Sequence, residues 1–219
     1  MKSNFKTILQ DAQAIVARDP ATHNLFQAFL FSSGLHAIIS YRFAHWLWQK
    51  KWHILARTVS QLTRLLTGIE IHPAAQIGFG FFIDHGMGVV IGETSQIGNN
   101  VTLYHGVTLG GTTVFDANGK QMNKRHPTLK NNIIVGAGAK ILGPVTIGNN
   151  AKIGANAVVL HNVSAGQTVV GIPARPVDKK TSNQPIFTAY AACSNDVDPI
   201  DCRLQHLEKE LIQLKNKIK

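Results

Sequence analysis

Acid, imidazole and guanidinium side chains fall where an otherwise regular sequence breaks its pattern. Glu70 stands at the start of that pattern, Asp84-His85 precede a two-residue slip in it, and Arg125-His126 end a stretch that abandons it. An imidazole moves protons near neutral pH, a carboxylate orients it, and a guanidinium forks onto an anion. Breaks in a repeat re-aim side chains, much as bulges do in a sheet. Taken one at a time, each has an ordinary reading: Glu70 and Asp84 as solvated turn carboxylates, His85, Arg125 and His126 as loop residues. What distinguishes the readings is the architecture that would hold them.

That architecture is written in a six-residue period. Val135, Ile141, Ile147, Ile153 and Val159 recur at every sixth position, and the same register runs upstream through Ile71, Ile77 and Ile83. After the slip it resumes at Ile91, Ile97, Leu103 and Leu109, then pauses until Val135. Neither an α-helix nor a hairpin pair has that period; short strands joined by sharp corners, three to a turn of a triangular β-helix, do. Glycine often follows the inward aliphatic, where little room remains. Asn99, Asn100, Asn149, Asn150 and Asn156 stand at the corners, because Asn tolerates left-handed backbone. Ordinary sandwich strands would alternate with period two between turns, and they do not fit. Glu70 and His85 are fifteen residues apart. An eighteen-residue coil sets them on neighbouring faces, so they can meet only around a corner.

Ahead of the coil, residues 1–68 read as helices. Phe5, Ile8, Leu9, Ala12, Ile15 and Val16 form one apolar stripe, and Leu55, Val59, Leu62 and Leu66 another. Asp19-Pro20 breaks the first helix, Gly34 is expected to separate the next two, and Gly68 suits a helix terminus. The fold class is therefore α+β. A helical region is followed by the β-helix over 69–177, with an excursion loop at 110–130 and a tail at 178–219. In that tail Leu204, Leu207, Leu211, Leu214 and Ile218 make an a/d seam, predicting a C-terminal helix over 201–218 that either pairs with copies of itself or docks on its own subunit.

Composition narrows the function classes. With 44% hydrophobic and 16% charged residues, the 219-residue chain has the make-up of a globular domain. The apolar window from Leu25 to Trp48 is interrupted by Gln27, Ser32, Ser33, His36, Arg42 and His45, which excludes a bilayer span. The N-terminal segment lacks the apolar run of a secretion signal, so a cytoplasmic location is expected. Cys193 and Cys202 have no partner motif, and no metal is expected. The net charge of +10 is scattered, without a nucleic-acid-binding signature, and suits an anionic small ligand such as coenzyme A. No nucleic acid and no membrane are expected as partners.

The segments IEIHPAAQIG, DHGMGVVIGET, VTLGGT, KRHPTL, VGAGAKILG and GIPAR together resemble serine acetyltransferase, of the hexapeptide-repeat acyltransferases, over roughly residues 1–177. The repeats and GIPAR alone would indicate only the superfamily; DHG, RHP and the Arg18-Asp19-Pro20 triplet are more specific. The resemblance implies a left-handed β-helix, against the usual right-handed crossover rule. It implies acetyl transfer from acetyl-CoA to the L-serine hydroxyl, with His85 as general base and Glu70 as the carboxylate orienting its imidazole. It gives Asp19, Asp84, Arg125 and His126 to the amino acid, and Gly111, Thr112, Ala137 and Ala155 to the pantetheine groove. It further implies sites between subunits of a homotrimer, or a dimer of trimers, with L-cysteine as a competing inhibitor.

The chain departs from many family members at position 70, where Glu replaces Asp, and in its short helical region and long excursion loop. Its last residues, Lys217-Ile218-Lys219, lack the terminal Ile by which such enzymes dock into cysteine synthase, so that complex is not expected. The alternative is a hexapeptide acyl-CoA transferase acting on another hydroxyl or an amine, which DHG and RHP oppose. A zinc carbonic anhydrase on the same coil needs histidines five apart, and no two are. A noncatalytic scaffold would not need acid, imidazole and guanidinium at its repeat breaks. His36, His45, His72 and His105 keep ordinary structural readings, as do Lys179 and Lys180.

Overall fold

The computed structural model describes residues 2–113, 115, 119 and 123–177, with side chains from residue 6 onward. The expected helix at 201–218, Cys193, Cys202, Lys179 and Lys180 lie outside the described residues. Four helices come first: α1 (Lys2–Arg18), α2 (Leu25–Phe31), α3 (Ser33–Gln49) and α4 (His53–Thr67). Each boundary has a local cause. Asp19 precedes a proline, which disfavours helical backbone and ends α1. The side chains of Asn24 and Ser32 accept the amides of Gln27 and Leu35 and so cap α2 and α3. Gly68, with φ 70°, closes α4 in the left-handed conformation.

Gly34 does not separate α2 from α3 as its type suggested; Ser32 does, and Gly34 sits inside α3. Its role is close approach. A Cβ at residue 34 would lie 2.2 Å from the Ile83 carbonyl oxygen, so glycine lets α3 press its first turn onto the coil.

From Glu70 onward the chain visits three parallel sheets in turn. Sheet A collects β1 (Glu70–Ile71), β4 (Val90–Ile91), β7 (Thr108–Gly110), β10 (Lys140–Leu142) and β13 (Val158–Val159). Sheet B takes β2 (Gln76–Ile77), β5 (Gln96–Ile97), β8 (Thr128–Leu129) and β11 (Thr146–Ile147). Sheet C takes β3 (Phe82–Ile83), β6 (Thr102–Leu103), β9 (Ile134–Val135), β12 (Lys152–Ile153) and β14 (Thr168–Val170), then β15 (Arg175–Pro176), which turns back antiparallel. This is a parallel β-helix, and helices and coils form one compact unit ending at Val177.

The register measures each irregularity. Ile141 pairs with Val159 eighteen residues on, the plain coil. Ile71 pairs with Ile91, so two residues are inserted before β4, where the sequence placed its slip. Leu109 pairs with Ile141, so the excursion lies between β7 and β8. It is shorter than 110–130: Gly110 belongs to β7, and Thr128–Leu129 already pair with Gln96–Ile97. Leu129, six residues before Val135, is a further inward position of the register, and it is buried.

Inside, the predicted aliphatics from Val135 to Val159 are each 2% exposed or less, and burying one such side chain contributes roughly 1.5–3 kcal/mol. At the corners Asn100, Asn132, Asn150 and Asn156 hold φ between 56° and 59°. Asn side chains also ladder: the Oδ1 atoms of Asn131 and Asn149 accept the amides of Asn99 and Asn131 in the coils above them. A buried ion pair, Asp11 to Arg42 at 2.9 Å, ties α1 and α3 to the first coil. Arg42 donates to the carbonyls of Ile77 and Gly78, and Asp11 accepts the Phe81 amide.

Candidate active site

The inserted pair of residues pushes Asp84-His85 out of register on the edge where sheet C turns into sheet A. His85 has φ 57°, a conformation that histidine visits more readily than most residues. Ser33 Oγ donates to the His85 carbonyl at 3.1 Å, so the N-terminal turn of α3 braces the corner from behind. The Asp84 side chain is buried, the His85 ring exposed. That ring meets His105 edge to face, with centroids 5.6 Å apart.

Glu70 opens β1 on the same edge, its amide bonded to the Val89 carbonyl. Its carboxylate pairs with Arg64 of α4 at 3.3 Å. The chain therefore brings Glu70 and His85 to one edge without joining them by a hydrogen bond among the described residues. His105, given an ordinary reading from sequence, turns out to neighbour His85.

The second cluster lies on the edge between sheets A and B. The base of the excursion lays Arg125-His126 onto Gly92-Glu93-Thr94, which follow β4. Arg125 pairs with Glu93 at 3.0 Å, both side chains half-exposed. Thr94 Oγ1 accepts the amides of Arg125 and His126, and Lys124 Nζ donates to the Thr94 carbonyl at 2.5 Å. His126 is 6% exposed, its Nδ1 facing the Thr94 amide at 3.2 Å and the Thr94 hydroxyl at 2.9 Å.

Burial, with the neighbouring Arg125 cation second, holds the His126 imidazole below the usual histidine range. Burial pushes His72 down to about 4, assisted by Arg57. The hydrogen bond from Arg125 holds the Glu93 carboxyl low. Beside this edge a cavity of about 740 Å³ opens between α4 and the first coil, lined by Trp48, Arg57, Leu62, Leu65 and His72. It includes neither Glu70 nor His85. Gly92, Glu93 and Thr94 had no role assigned from sequence, although they lie in the quoted DHGMGVVIGET segment; no side-chain type there announces a brace.

The remaining candidates are spread out. Ala137 and Ala155 stack in successive coils on the C–A edge, Asn156 donating to the Ala137 carbonyl. Gly111 and Thr112 leave β7 on the A–B edge, exposed, with the Thr112 amide bonded to the Arg125 carbonyl. Asp19 is carried near the B–C edge, because Arg18 reaches the Gly80 carbonyl, Thr102 Oγ1 and Asn100 Oδ1. Its carboxylate accepts from the Ala21 amide and the Thr22 hydroxyl. Within one chain the candidates thus occupy different edges of the prism. Among the described residues no three His, Cys, Asp or Glu side chains converge to hold a metal ion.

A hexapeptide coil with an exposed imidazole at its slip and an arginine-histidine pair at its excursion narrows the choice of relatives. The model of the N-terminal region of serine acetyltransferases matches residues 2–40, and that of bacterial transferase hexapeptides (six repeats) matches 126–161. The serine acetyltransferase of Bacillus subtilis (strain 168) is 47% identical over 211 residues, 96% of this chain and 93% of its own. The chain belongs to the serine acetyltransferase family. Two solved serine acetyltransferases share its fold. One, in complex with cysteine, gives a TM-score of 0.76 at 44% identity, covering 81% of this chain and 71% of its own. The other, in complex with CoA, gives 0.75 at 43%, covering 80% and 70%.

Proposed function

We infer that this chain is a serine O-acetyltransferase, moving acetyl from acetyl-CoA to the L-serine hydroxyl to give O-acetylserine for cysteine biosynthesis. The observation that carries this is near-complete alignment at 47% identity to a serine acetyltransferase, with the Asp84-His85 and Arg125-His126 segments within it.

His85 is the general base. A serine hydroxyl is a weak nucleophile at neutral pH, and a positioned imidazole contributes roughly 10²- to 10⁴-fold. Exposure of its ring at a braced corner suits that task. Glu70 orients the imidazole after exchanging Arg64 for it, which costs little because exposed ion pairs are weak. Asp19 and Asp84 face the substrate ammonium, and Arg125 and His126 its carboxylate. Gly111, Thr112, Ala137 and Ala155 line the pantetheine path, where small side chains expose backbone. Attack is direct in a ternary complex, and the CoA thiolate leaves.

Separation of these residues onto different edges supports a site completed between copies of the chain, in a homotrimer. The face of α4 agrees, since Ile54, Leu65 and Leu66 are 80% exposed or more. A left-handed coil sense belongs to the same reading. The alternative assembly is a dimer of trimers. L-Cysteine, found in a related structure, would compete for the serine site. No helix of the described residues is long and apolar enough to cross a membrane, and use of free acetyl-CoA suits a cytoplasmic enzyme.

The test is a serine-dependent thiol-release assay with other hydroxyl and amine acceptors in parallel. His85→Ala should lose most of its rate while still binding CoA; near-normal turnover would remove the assigned base. Transfer to a sugar or amine in preference to serine would favour the alternative acyltransferase.

A further inference from the structure

The contacts around residue 126 contain more than a loop attachment. Thr94 Oγ1 accepts two amide protons, those of Arg125 and His126, so its own proton remains for Nδ1 of His126 at 2.9 Å. The Thr94 amide points at the same nitrogen from 3.2 Å. An amide N–H can only donate, so Nδ1 must be the unprotonated nitrogen. The neutral ring then carries its proton on Nε2. That edge of the ring lies over two residues without side chains: a Cβ at Gly92 would fall 2.0 Å from Nε2, and one at Gly111 2.9 Å from it. Among the described residues Nε2 has no hydrogen-bond partner, and it is not among the fully buried side-chain atoms left without one, of which Ser95 Oγ is the example.

We propose that Thr94 is a positioning residue that fixes His126 as a neutral Nε2–H donor, aimed through the gap at Gly92 and Gly111 toward an oxygen of the bound amino acid. The assignment rests on the serine acetyltransferase reading for its ligand, but the tautomer stands on geometry alone. His126 thereby binds an anion by a directed hydrogen bond and leaves the formal positive charge to Arg125. The charged and titratable groups facing it are Arg125, Glu93, Lys124 and His72. Burial and the Arg125 cation, which disfavour the imidazolium, act in the same sense.

The experiment combines histidine nitrogen NMR on the full chain with serine kinetics of wild type, Thr94→Val and Thr94→Ser. The wild-type spectrum should show the Nε2–H tautomer at neutral pH. Thr94→Val keeps the residue-94 amide on Nδ1 but removes the hydroxyl that holds the ring and the Arg125 and His126 amides. It should therefore let the ring shift and raise the KM for serine on the order of 10- to 100-fold, the loss of one buried hydrogen-bond partner. Most of the effect should fall on KM rather than kcat. Thr94→Ser, which keeps the hydroxyl, should restore the wild-type KM. A wild-type ring protonated on Nδ1, or a Thr94→Val enzyme with unchanged serine KM, overturns the proposal. Should Thr94→Val not fold, the wild-type spectrum and Thr94→Ser still decide. Absence of serine-dependent thiol release in wild type would instead remove the functional reading, leaving the spectrum to judge Thr94.

Discussion

Gly92 leaves open the space that the His126 ring fills: a Cβ on residue 92 would meet Cδ2 and Nε2 of that ring at 2.0 Å. The two residues are separated by a whole coil and the excursion loop. A buried ring cannot yield by rotating a flexible end. Gly92→Ala should therefore expel the imidazole, lowering kcat/KM for serine on the order of 10- to 100-fold and stability by roughly 1–3 kcal/mol. Steady-state kinetics and a urea melt check both; wild-type kinetics would show that the ring does not need that space.

Arg64 and Glu70 separate catalysis from stability. Their pair is 3.3 Å long with Arg64 more than half exposed, so Arg64→Met should change stability by no more than about 0.5 kcal/mol and leave turnover intact. Glu70→Gln removes the carboxylate proposed to brace His85, and kcat should drop by about tenfold or more with little change in melting. Equal turnover in wild type and Glu70→Gln would cancel the brace.

The Asp11–Arg42 pair behaves differently, because Asp11 is fully buried and Arg42 nearly so. Removing one member strands the other charge and frees the Phe81 amide. Asp11→Ala should cost about 3–5 kcal/mol by chemical denaturation, several times the effect at Arg64. A cost below 1 kcal/mol would mean that water reaches the pair.

Acid should weaken the fold through His72. Its folded ring protonates only near pH 4, held down first by burial and then by Arg57, whereas the unfolded ring protonates near 6.5. Between those values unfolding takes up a proton, so stability present above pH 6.5 is lost progressively as pH falls to about 4. Glu93 opposes this shift, while Arg125 and His126 reinforce it. His72→Gln should flatten that part of the stability profile; an unchanged slope would place the proton uptake elsewhere, with His126, shifted the same way, the next group to replace.

Much of this protein is legible in one dimension. The six-residue register fixed which aliphatics point inward, and the two extra residues before Val90 appear in the strand pairing where the slip stood in the sequence. Asn100, Asn150 and Asn156 hold the left-handed corners expected of them. Helix boundaries at Asp19-Pro20 and Gly68 were equally plain. These features are local: each is imposed by a residue's own backbone preference or by a repeat shorter than one coil, so no distant partner is needed to read them. Gly34 marks the limit, since its type suggested a break while its place was set by the Ile83 carbonyl of another element.

The candidate site divides along the same line. Residue types and motifs singled out His85, Glu70, Arg125 and His126, but nothing in their spacing named Thr94, thirty-two residues before His126, as the group that holds its ring. Nor did spacing reveal that Glu70 rests on Arg64, or that Ala137 and Gly111 lie at opposite edges of sheet A. Those facts depend on which coils stack and how far the excursion displaces the register. Periodicity dictates the prism; only its closure in three dimensions decides which side chains share an edge, because contacts between coils are set by the sum of every insertion between them.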